Sequence, residues 1–136
     1  MSILNKNIFI LTGAGISKES GINTFREKDG LWDNYKIEDV CTPDAFKKDP
    51  DLVNNFYNER KSQLESPLIK PNEAHHSLVE FERKCSGEFL IVTQNIDNLH
   101  ERAGSKKILH MHGSLESAYC MYCNHKVILN FNLSTS

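Results

Sequence analysis

The residues best suited to chemistry begin with a glycine turn at Gly13 and Gly15, which follows an apolar run at residues 8–11. Such a run, ending in glycines, is typical of a buried parallel strand that delivers its end to a phosphate, because glycine lets the backbone approach an anion. The N–H groups of a following helical turn add donors for that anion. Phe25 and Arg26 place an aromatic ring and a permanent cation nearby. The pattern predicts a site for a phosphorylated ligand.

This turn does not complete the ordinary dinucleotide fingerprint. The third glycine would stand at Lys18, and no strand leads to an acidic residue about twenty positions further on. A Gly-x-Gly turn alone is also found in plain tight turns. We therefore expect a different kind of nucleotide site, and an NAD-dependent dehydrogenase is disfavoured.

A second polar cluster follows another apolar run at residues 89–93. It contains Gln94, Asn95 and Asp97, and amides beside a carboxylate suit a carboxamide and ribose hydroxyls. A third, alternating run ends at His112, which adds a titratable imidazole. Ligands of open α/β sheets bind beyond the carboxyl ends of the strands, so we expect these side chains to face the same crevice as the glycine turn.

Cys120 and Cys123 form a Cys-x-x-Cys pair. In a reducing compartment such a pair indicates metal or redox chemistry before a disulfide. A structural zinc ion needs a complete tetrahedral set of ligands, and no cysteine follows Cys123 in this sequence. Metal and redox chemistry both stay open for the pair, which alone would supply two of the four ligands of a zinc site.

Composition limits the class of protein. With 136 residues the chain can form one domain with a hydrophobic core. A net charge of −2 gives no electrostatic reason to expect nucleic acid or an anionic membrane as a partner. We find no apolar stretch of membrane-spanning length and no signal-peptide core after Met1, so a cytoplasmic location is expected.

The elements that position these residues alternate between strands and helices. Helix starts are predicted at Thr42, at about Asp51 and at Asn72, and a short helix is predicted from Leu99 to its end at Gly104. About 75 residues of mostly helical sequence separate the first two strands, more than a plain crossover needs. The pattern predicts an α/β fold with a parallel sheet and an inserted helical module.

The motifs resemble those of the sirtuins, the NAD-dependent protein-lysine deacylases. In chain order they are Gly-Ala-Gly-Ile-Ser with Thr-Phe-Arg, Thr-Gln-Asn-Ile-Asp-Asn-Leu-His, His-Gly and Cys-x-x-Cys, and they cover residues 7–123. The resemblance implies a Rossmann-like parallel sheet with an inserted helical module and the start of a zinc-binding module. Sirtuins continue with strands that hold the adenosine half of NAD, so the chain resembles a truncated sirtuin, its N-terminal half. One partial domain would span 1–136, with the Rossmann-like portion at 1–40 and 86–113, the helical insertion at 41–85 and the zinc-binding module starting at 114–136.

The resemblance also implies residue roles. NAD would be the co-substrate and His112 the general base, a task that suits a histidine because its ordinary pKa lies near the working pH. Cys120 and Cys123 would bind one structural zinc ion. Trp32 is equally compatible with plain packing or a lid. The residues expected to contact NAD are Gly13, Ala14, Gly15, Ile16, Thr24, Phe25, Arg26, Trp32, Gln94, Asn95, Ile96 and Asp97.

Tyr57 and Arg60 match the pair that marks the bacterial deacylases resembling CobB, which accept acidic acyl groups. The two residues share one helical face, and a guanidinium with a phenol can hold a buried carboxylate. On spacing alone, Tyr57 is better explained as a core-edge aromatic and Arg60 as a solvated charge. The family context favours substrate binding.

Other titratable residues have simpler interpretations. On pattern alone His110, two positions before His112, is an equal candidate for the base or for a hydrogen-bonded core histidine. His75 lies on a predicted helix and is expected to be structural or exposed. Cys41 is expected to be a small buried hydrophobe.

The expected function is NAD-dependent deacetylation, desuccinylation or demalonylation of protein lysines, with transfer of the acyl group to ADP-ribose and release of nicotinamide. The partners would be acyl-lysine proteins. The alternative is a truncated, catalytically inactive remnant with at most weak nucleotide or partner binding. A three-stranded remnant would leave one face and an edge of its sheet uncovered.

Overall fold

The computed structural model describes residues 6–24 and 34–134. These residues fall into two compact units: the first takes those up to Ile22 and Leu68–Ser114, and the second takes those of Asn23–Pro67 and those from Leu115 onward. In chain order the elements are β1 (Ile8–Thr12), α1 (Gly15–Lys18), α2 (Ile37–Val40), α3 (Pro43–Lys48), α4 (Pro50–Leu64), α5 (Glu73–Lys84), β2 (Phe89–Thr93), α6 (Leu99–Ala103), β3 (Ile108–His110), β4 (Ser117–Tyr119) and β5 (Lys126–Ile128).

The first unit is built on a parallel sheet with strand order β1-β2-β3. The predicted parallel sheet is therefore confirmed. The third strand was expected to run to His112, and this is wrong: it ends at His110, whose carbonyl accepts a hydrogen bond from the Gly113 N–H at 3.3 Å. Gly113 has a φ of 82°, so the chain turns here and Met111 and His112 lie in the turn.

The two faces of this sheet differ in burial. Ile91 is fully buried and Phe89 packs edge-on against Phe81 of α5, with ring centroids 5.8 Å apart. On the other face Phe9 is 66% exposed and Leu109 is 52% exposed. The expectation that β1 is a buried strand is therefore wrong for the face that carries Phe9, because this face of the sheet is uncovered.

Helix boundaries follow the predicted capping residues. The Thr42 side chain accepts from the Ala45 N–H at 3.0 Å and starts α3, with proline as its first residue. Asn72 caps α5, and Gly104, with a φ of 117°, ends α6. The predicted start of α4 at about Asp51 is also confirmed, because that helix begins one residue earlier.

The second unit contains α2, α3 and α4, with Val40, Ala45 and Phe56 among its buried side chains. It also contains an antiparallel pair, β4 and β5. The division predicted from the sequence at 1–40, 41–85, 86–113 and 114–136 stays a prediction. No helix within the described ranges is long and apolar enough to cross a membrane.

Candidate active site

The loop after β1, residues 13–16, is here called the glycine loop. It turns into α1 through hydrogen bonds from the Ile16 N–H to the Gly13 carbonyl at 3.2 Å and from the Ser17 N–H to the Ala14 carbonyl at 3.1 Å. A Cβ built on Gly15 would meet nothing within 4 Å, so the space beside this residue is open to a ligand. The helix α1 is only 4 residues long, so its dipole contributes less to anion binding than a longer helix would.

Residues 94–97, here called the amide loop, are joined directly to the glycine loop. Asn95 donates from Nδ2 to the Gly13 carbonyl at 3.0 Å and to the Ser17 hydroxyl at 3.2 Å. The Ser17 hydroxyl in turn donates to the Asp97 carboxylate at 2.8 Å. These contacts bring the two predicted clusters together at the carboxyl edge of the sheet.

The same contacts change what these side chains can offer a ligand. Both carboxylate oxygens of Asp97 accept hydrogen bonds within the protein, from the Ser17 hydroxyl and from the Leu99 N–H at 3.0 Å. Asn95 and Asp97 are only 8% and 7% exposed. Gln94 is exposed, and its Nε2 lies 3.9 Å from where a Cβ on Gly13 would stand. Of the amide-loop side chains, Gln94 is therefore the freer to meet a ligand.

A buried histidine pair supports the site, and sequence reasoning missed its role. His100 Nε2 lies 2.9 Å from the Thr12 hydroxyl, and its ring packs edge-on against His75 at 5.1 Å. His75 accepts the Asn72 N–H at Nδ1, so this ring is neutral, and burial lowers the pKa of His75 to about 4. Among the described residues, His75 Nε2 and His100 Nδ1 have no hydrogen-bond partner.

Asn72 connects this pair to the glycine loop. Its side-chain amide donates to the Ile16 carbonyl at 2.8 Å and to the Ser20 hydroxyl at 2.9 Å. The start of α5 is thus fixed to the end of the glycine loop. Only its capping role had a sequence signal, because the other partners lie more than 50 positions away in the chain, at separations of 56 and 52.

His110 and His112 have different hydrogen-bond partners. His112 is exposed, and its Nδ1 lies 3.1 Å from the Gln94 carbonyl. A carbonyl oxygen only accepts, so Nδ1 carries a hydrogen, and in the neutral ring Nε2 is the nitrogen with the lone pair. His110 instead contacts the Asn95 carbonyl at 2.9 Å through Nδ1 and the Glu101 carboxylate through Nε2. The structure therefore gives His112, and not His110, an available basic nitrogen.

Tyr57 and Arg60 lie in the second unit, on α4. The Tyr57 hydroxyl is 3.8 Å from the Cys41 sulfur, and burial raises the pKa of this phenol. The prediction that Cys41 is buried is wrong, because the residue is exposed, although its sulfur contacts this hydroxyl. Tyr57 and Cys41 thus contact each other, and the sequence did not predict this contact.

Arg60 is held by its own helix. Its Nη1 donates to the Phe56 carbonyl and to the Glu59 carboxylate, both at 3.0 Å, and the guanidinium lies 4.5 Å from the Phe56 ring centroid. The side chain is 13% exposed, so the interpretation as a solvated charge is wrong. Glu59 also accepts from the Tyr35 hydroxyl at 3.2 Å.

The remaining predicted residues have separate positions. Cys120 and Cys123 flank the turn between β4 and β5, where the Cys123 N–H, the Tyr122 N–H and the Cys123 thiol hydrogen-bond to the Cys120 sulfur and lower the pKa of its thiol. The described residues contain no group of three or more His, Cys, Asp or Glu side chains arranged to hold a metal. Thr24 is half-buried in the second unit, whereas Phe25, Arg26 and Trp32 lie outside the described residues.

Comparison with known proteins gives consistent results. Residues 13–134 match the Sir2 family. A protein of Bdellovibrio bacteriovorus named NAD-dependent protein deacylase is 60% identical over 121 residues, which cover 89% of this chain and 52% of that protein. A protein of the same name from Vibrio vulnificus is 56% identical over 124 residues, 91% of this chain and 51% of its own length. The chain thus spans about half the length of these curated relatives.

Solved structures agree. An ADP-ribose complex of a Sir2 homologue with a single serine-to-alanine substitution is 41% identical and superimposes with a TM-score of 0.84, over 98% of this chain and 53% of that one. An NAD complex of a Sir2 homologue is 42% identical with a TM-score of 0.77, over 93% and 48% of the two chains. The predicted Rossmann-like fold is confirmed by these likenesses.

Proposed function

Because the chain belongs to the Sir2 family, we propose that it carries the catalytic base and the nicotinamide-side loops of an NAD-dependent protein-lysine deacylase. The observation that carries this proposal is the contact of His112 Nδ1 with the Gln94 carbonyl at 3.1 Å. Its Nδ1 donates to the Gln94 carbonyl, which leaves Nε2 free to take a proton beside the joined glycine and amide loops. Relatives with the name NAD-dependent protein deacylase support the choice of reaction.

The residues of the first unit fit a dinucleotide. The open space beside Gly15 admits a phosphate or ribose, and the exposed Gln94 amide offers both a donor and an acceptor for hydroxyls. When bound, NAD supplies the ribose carbon that takes up the acyl oxygen. In our proposal the cleft for NAD is lined by Gly13, Ala14, Gly15 and Ile16. The carboxamide of NAD is contacted by Asn95, Ile96 and Asp97. The segment that follows the glycine loop contributes Thr24, Phe25, Arg26 and Trp32.

His112 would take the proton of a ribose hydroxyl at Nε2. The hydrogen bond from Nδ1 to the Gln94 carbonyl fixes the orientation of the ring, so that Nε2 is the nitrogen left to take the proton. Gln94 therefore has two proposed tasks: its carbonyl orients the base, and its side chain meets the ribose.

For the substrate, we propose acyl-lysine proteins, including those with succinyl or malonyl groups. Arg60 supports this because its guanidinium already donates a hydrogen bond to a carboxylate, that of Glu59. The Arg60 side chain is also buried enough to make such a contact strong. Tyr57 adds a phenolic hydroxyl, and burial together with the neighbouring Cys41 raises its pKa and keeps it protonated. A cytoplasmic location and the predicted division of the domain are part of the same proposal.

We also propose a zinc site. Cys120 and Cys123 would supply two ligands, and the hydrogen bonds that lower the pKa of the Cys120 thiol favour the thiolate that zinc binds. The described residues do not complete the set. No step of the proposed reaction depends on this ion.

The test is release of nicotinamide from NAD by the purified chain with acetyl-lysine and succinyl-lysine peptides. We expect acyl-dependent release, and we expect His112→Ala to abolish it while NAD still raises the melting temperature, because the base acts on chemistry and not on binding. An active His112→Ala variant would refute the assignment of the base. A wild-type chain with neither turnover nor an NAD-dependent shift would leave the inactive-remnant alternative.

A further inference from the structure

The ring of His110 is placed between two groups that both accept hydrogen bonds. Its Nδ1 is 2.9 Å from the backbone carbonyl of Asn95, and its Nε2 contacts a carboxylate oxygen of Glu101. A carbonyl has no hydrogen to give, and an ionised carboxylate has none either. Both ring nitrogens must then carry hydrogen, which makes the ring an imidazolium.

Three structural elements meet at this contact. His110 ends β3, Glu101 lies on α6, and Asn95 belongs to the amide loop. The groups that act on the charge of His110 are Glu101 and His100 from α6 and Asp97 from the amide loop. The hydrogen bond to Glu101 raises the pKa of His110 against the opposing effect of burial, which agrees with the geometry.

We propose that His110 is a positioning residue whose imidazolium, held between Glu101 and the Asn95 carbonyl, fixes the amide loop in the form that binds the nicotinamide end of NAD. This proposal rests on the proposed function for its ligand, whereas the contact itself does not. We call the three-residue arrangement the His110 clasp.

The clasp has a direct chemical consequence. A neutral ring has one N–H, so it can keep only one of the two contacts, and its lone pair must then face an oxygen of the other partner. Loss of the proton therefore releases either α6 or the amide loop from β3. Because Asn95 also bonds the Gly13 carbonyl, the change would reach the glycine loop as well.

The first experiment measures the protonation of the His110 clasp in the absence of any ligand. Nitrogen-15 NMR of the full chain follows the His110 ring and the backbone amides of residues 95–97 as a function of pH. We expect the midpoint of the ring titration to lie above the ordinary histidine value and the amides to titrate with the same midpoint. In Glu101→Gln that midpoint should fall by about one pH unit or more. A His110 midpoint at or below the ordinary histidine value, or amides that do not follow the ring, would overturn the proposal.

A second variant and a control guard against misfolding. In His110→Gln the amide titration should disappear, with the far-UV circular dichroism unchanged. Glu80→Gln is the matched control, because Glu80 is an exposed acid whose contacts are to Arg83 and Lys84. It should leave the His110 midpoint where it is in the wild type. An amide titration that persists in His110→Gln counts against the clasp.

The second experiment links the clasp to the ligand. Calorimetry of NAD binding should give a dissociation constant that rises with pH in parallel with the His110 titration, and Glu101→Gln should weaken binding about tenfold at about pH 7. If the dissociation constant of NAD for the wild type does not change with pH over the His110 titration, the positioning role is overturned. If the wild type binds no NAD at any pH, the proposed function fails, while the NMR result still decides whether the clasp exists.

Discussion

Replacement of His75 by glutamine should flatten the dependence of stability on pH. His75 is fully buried and neutral, and burial lowers its pKa from 6.5 to about 4. Between these values the unfolded chain binds a proton that the folded chain does not, so the free energy of unfolding falls as the pH drops below about 6.5. Above that range the histidine is neutral in both states and has no such effect.

The size of the effect follows from the two pKa values. Linkage gives an unfavourable contribution of about 2 kcal/mol at about pH 5 and close to zero at about pH 7.5. Glutamine does not titrate, so this part of the pH dependence should vanish in His75→Gln. The loss of the Asn72 N–H contact lowers stability at both pH values and cancels in the comparison.

The assay is urea unfolding followed by circular dichroism at both pH values, for the wild type and for His75→Gln. The wild type should lose about 2 kcal/mol more than the variant between about pH 7.5 and pH 5. His76→Gln is the control, because His76 is exposed on the same helix and should keep the wild-type dependence. Equal losses in the wild type and His75→Gln would refute the assignment of a neutral, buried His75.

Two predictions concern acyl selectivity. Arg60→Ala should lower kcat/KM for a succinyl-lysine peptide by about tenfold to a hundredfold, with a much smaller loss for acetyl-lysine, because only the former has a carboxylate to lose its partner; equal losses would mean that Arg60 is structural. Glu59→Gln should lower KM for succinyl-lysine by about two- to fivefold and leave acetyl-lysine unchanged, since Glu59 competes for the Arg60 guanidinium from an exposed position. A rise in KM for succinyl-lysine would show instead that Glu59 orients Arg60.

The predictable part of the fold was the part set by neighbouring residues. Thr42, Asn72 and Gly104 mark helix ends through contacts within a few positions, so the sequence alone located α3, α5 and α6. The end of β3 could not be found this way, and the local pattern did not show that Phe9 lies on the face that a three-stranded sheet was expected to leave uncovered. An apolar run has the same sequence pattern whether or not another element covers it.

The candidate site also has a part that the sequence predicted and a part that it did not. The motifs predicted that the glycine loop, the amide loop and His112 lie at one edge of the sheet. They did not predict that Ser17 joins Asn95 to Asp97, because that network pairs residues 78 and 80 positions apart. The two histidines near the end of β3 were equivalent in sequence, and only their partners, the Gln94 carbonyl and Glu101, distinguish them.

The length of chain spanned by these hydrogen bonds also bears on how the site forms. Ser17 and Asp97 are 80 positions apart, and Thr12 and His100 are 88 positions apart. Contacts between such distant residues require the intervening chain to close into a loop, which costs chain entropy. The contacts that join the glycine loop and Ser17 to the amide loop need β2 paired with β1, so the joined site forms only with that pairing. A ligand of this site would slow unfolding and leave the rate of folding nearly unchanged.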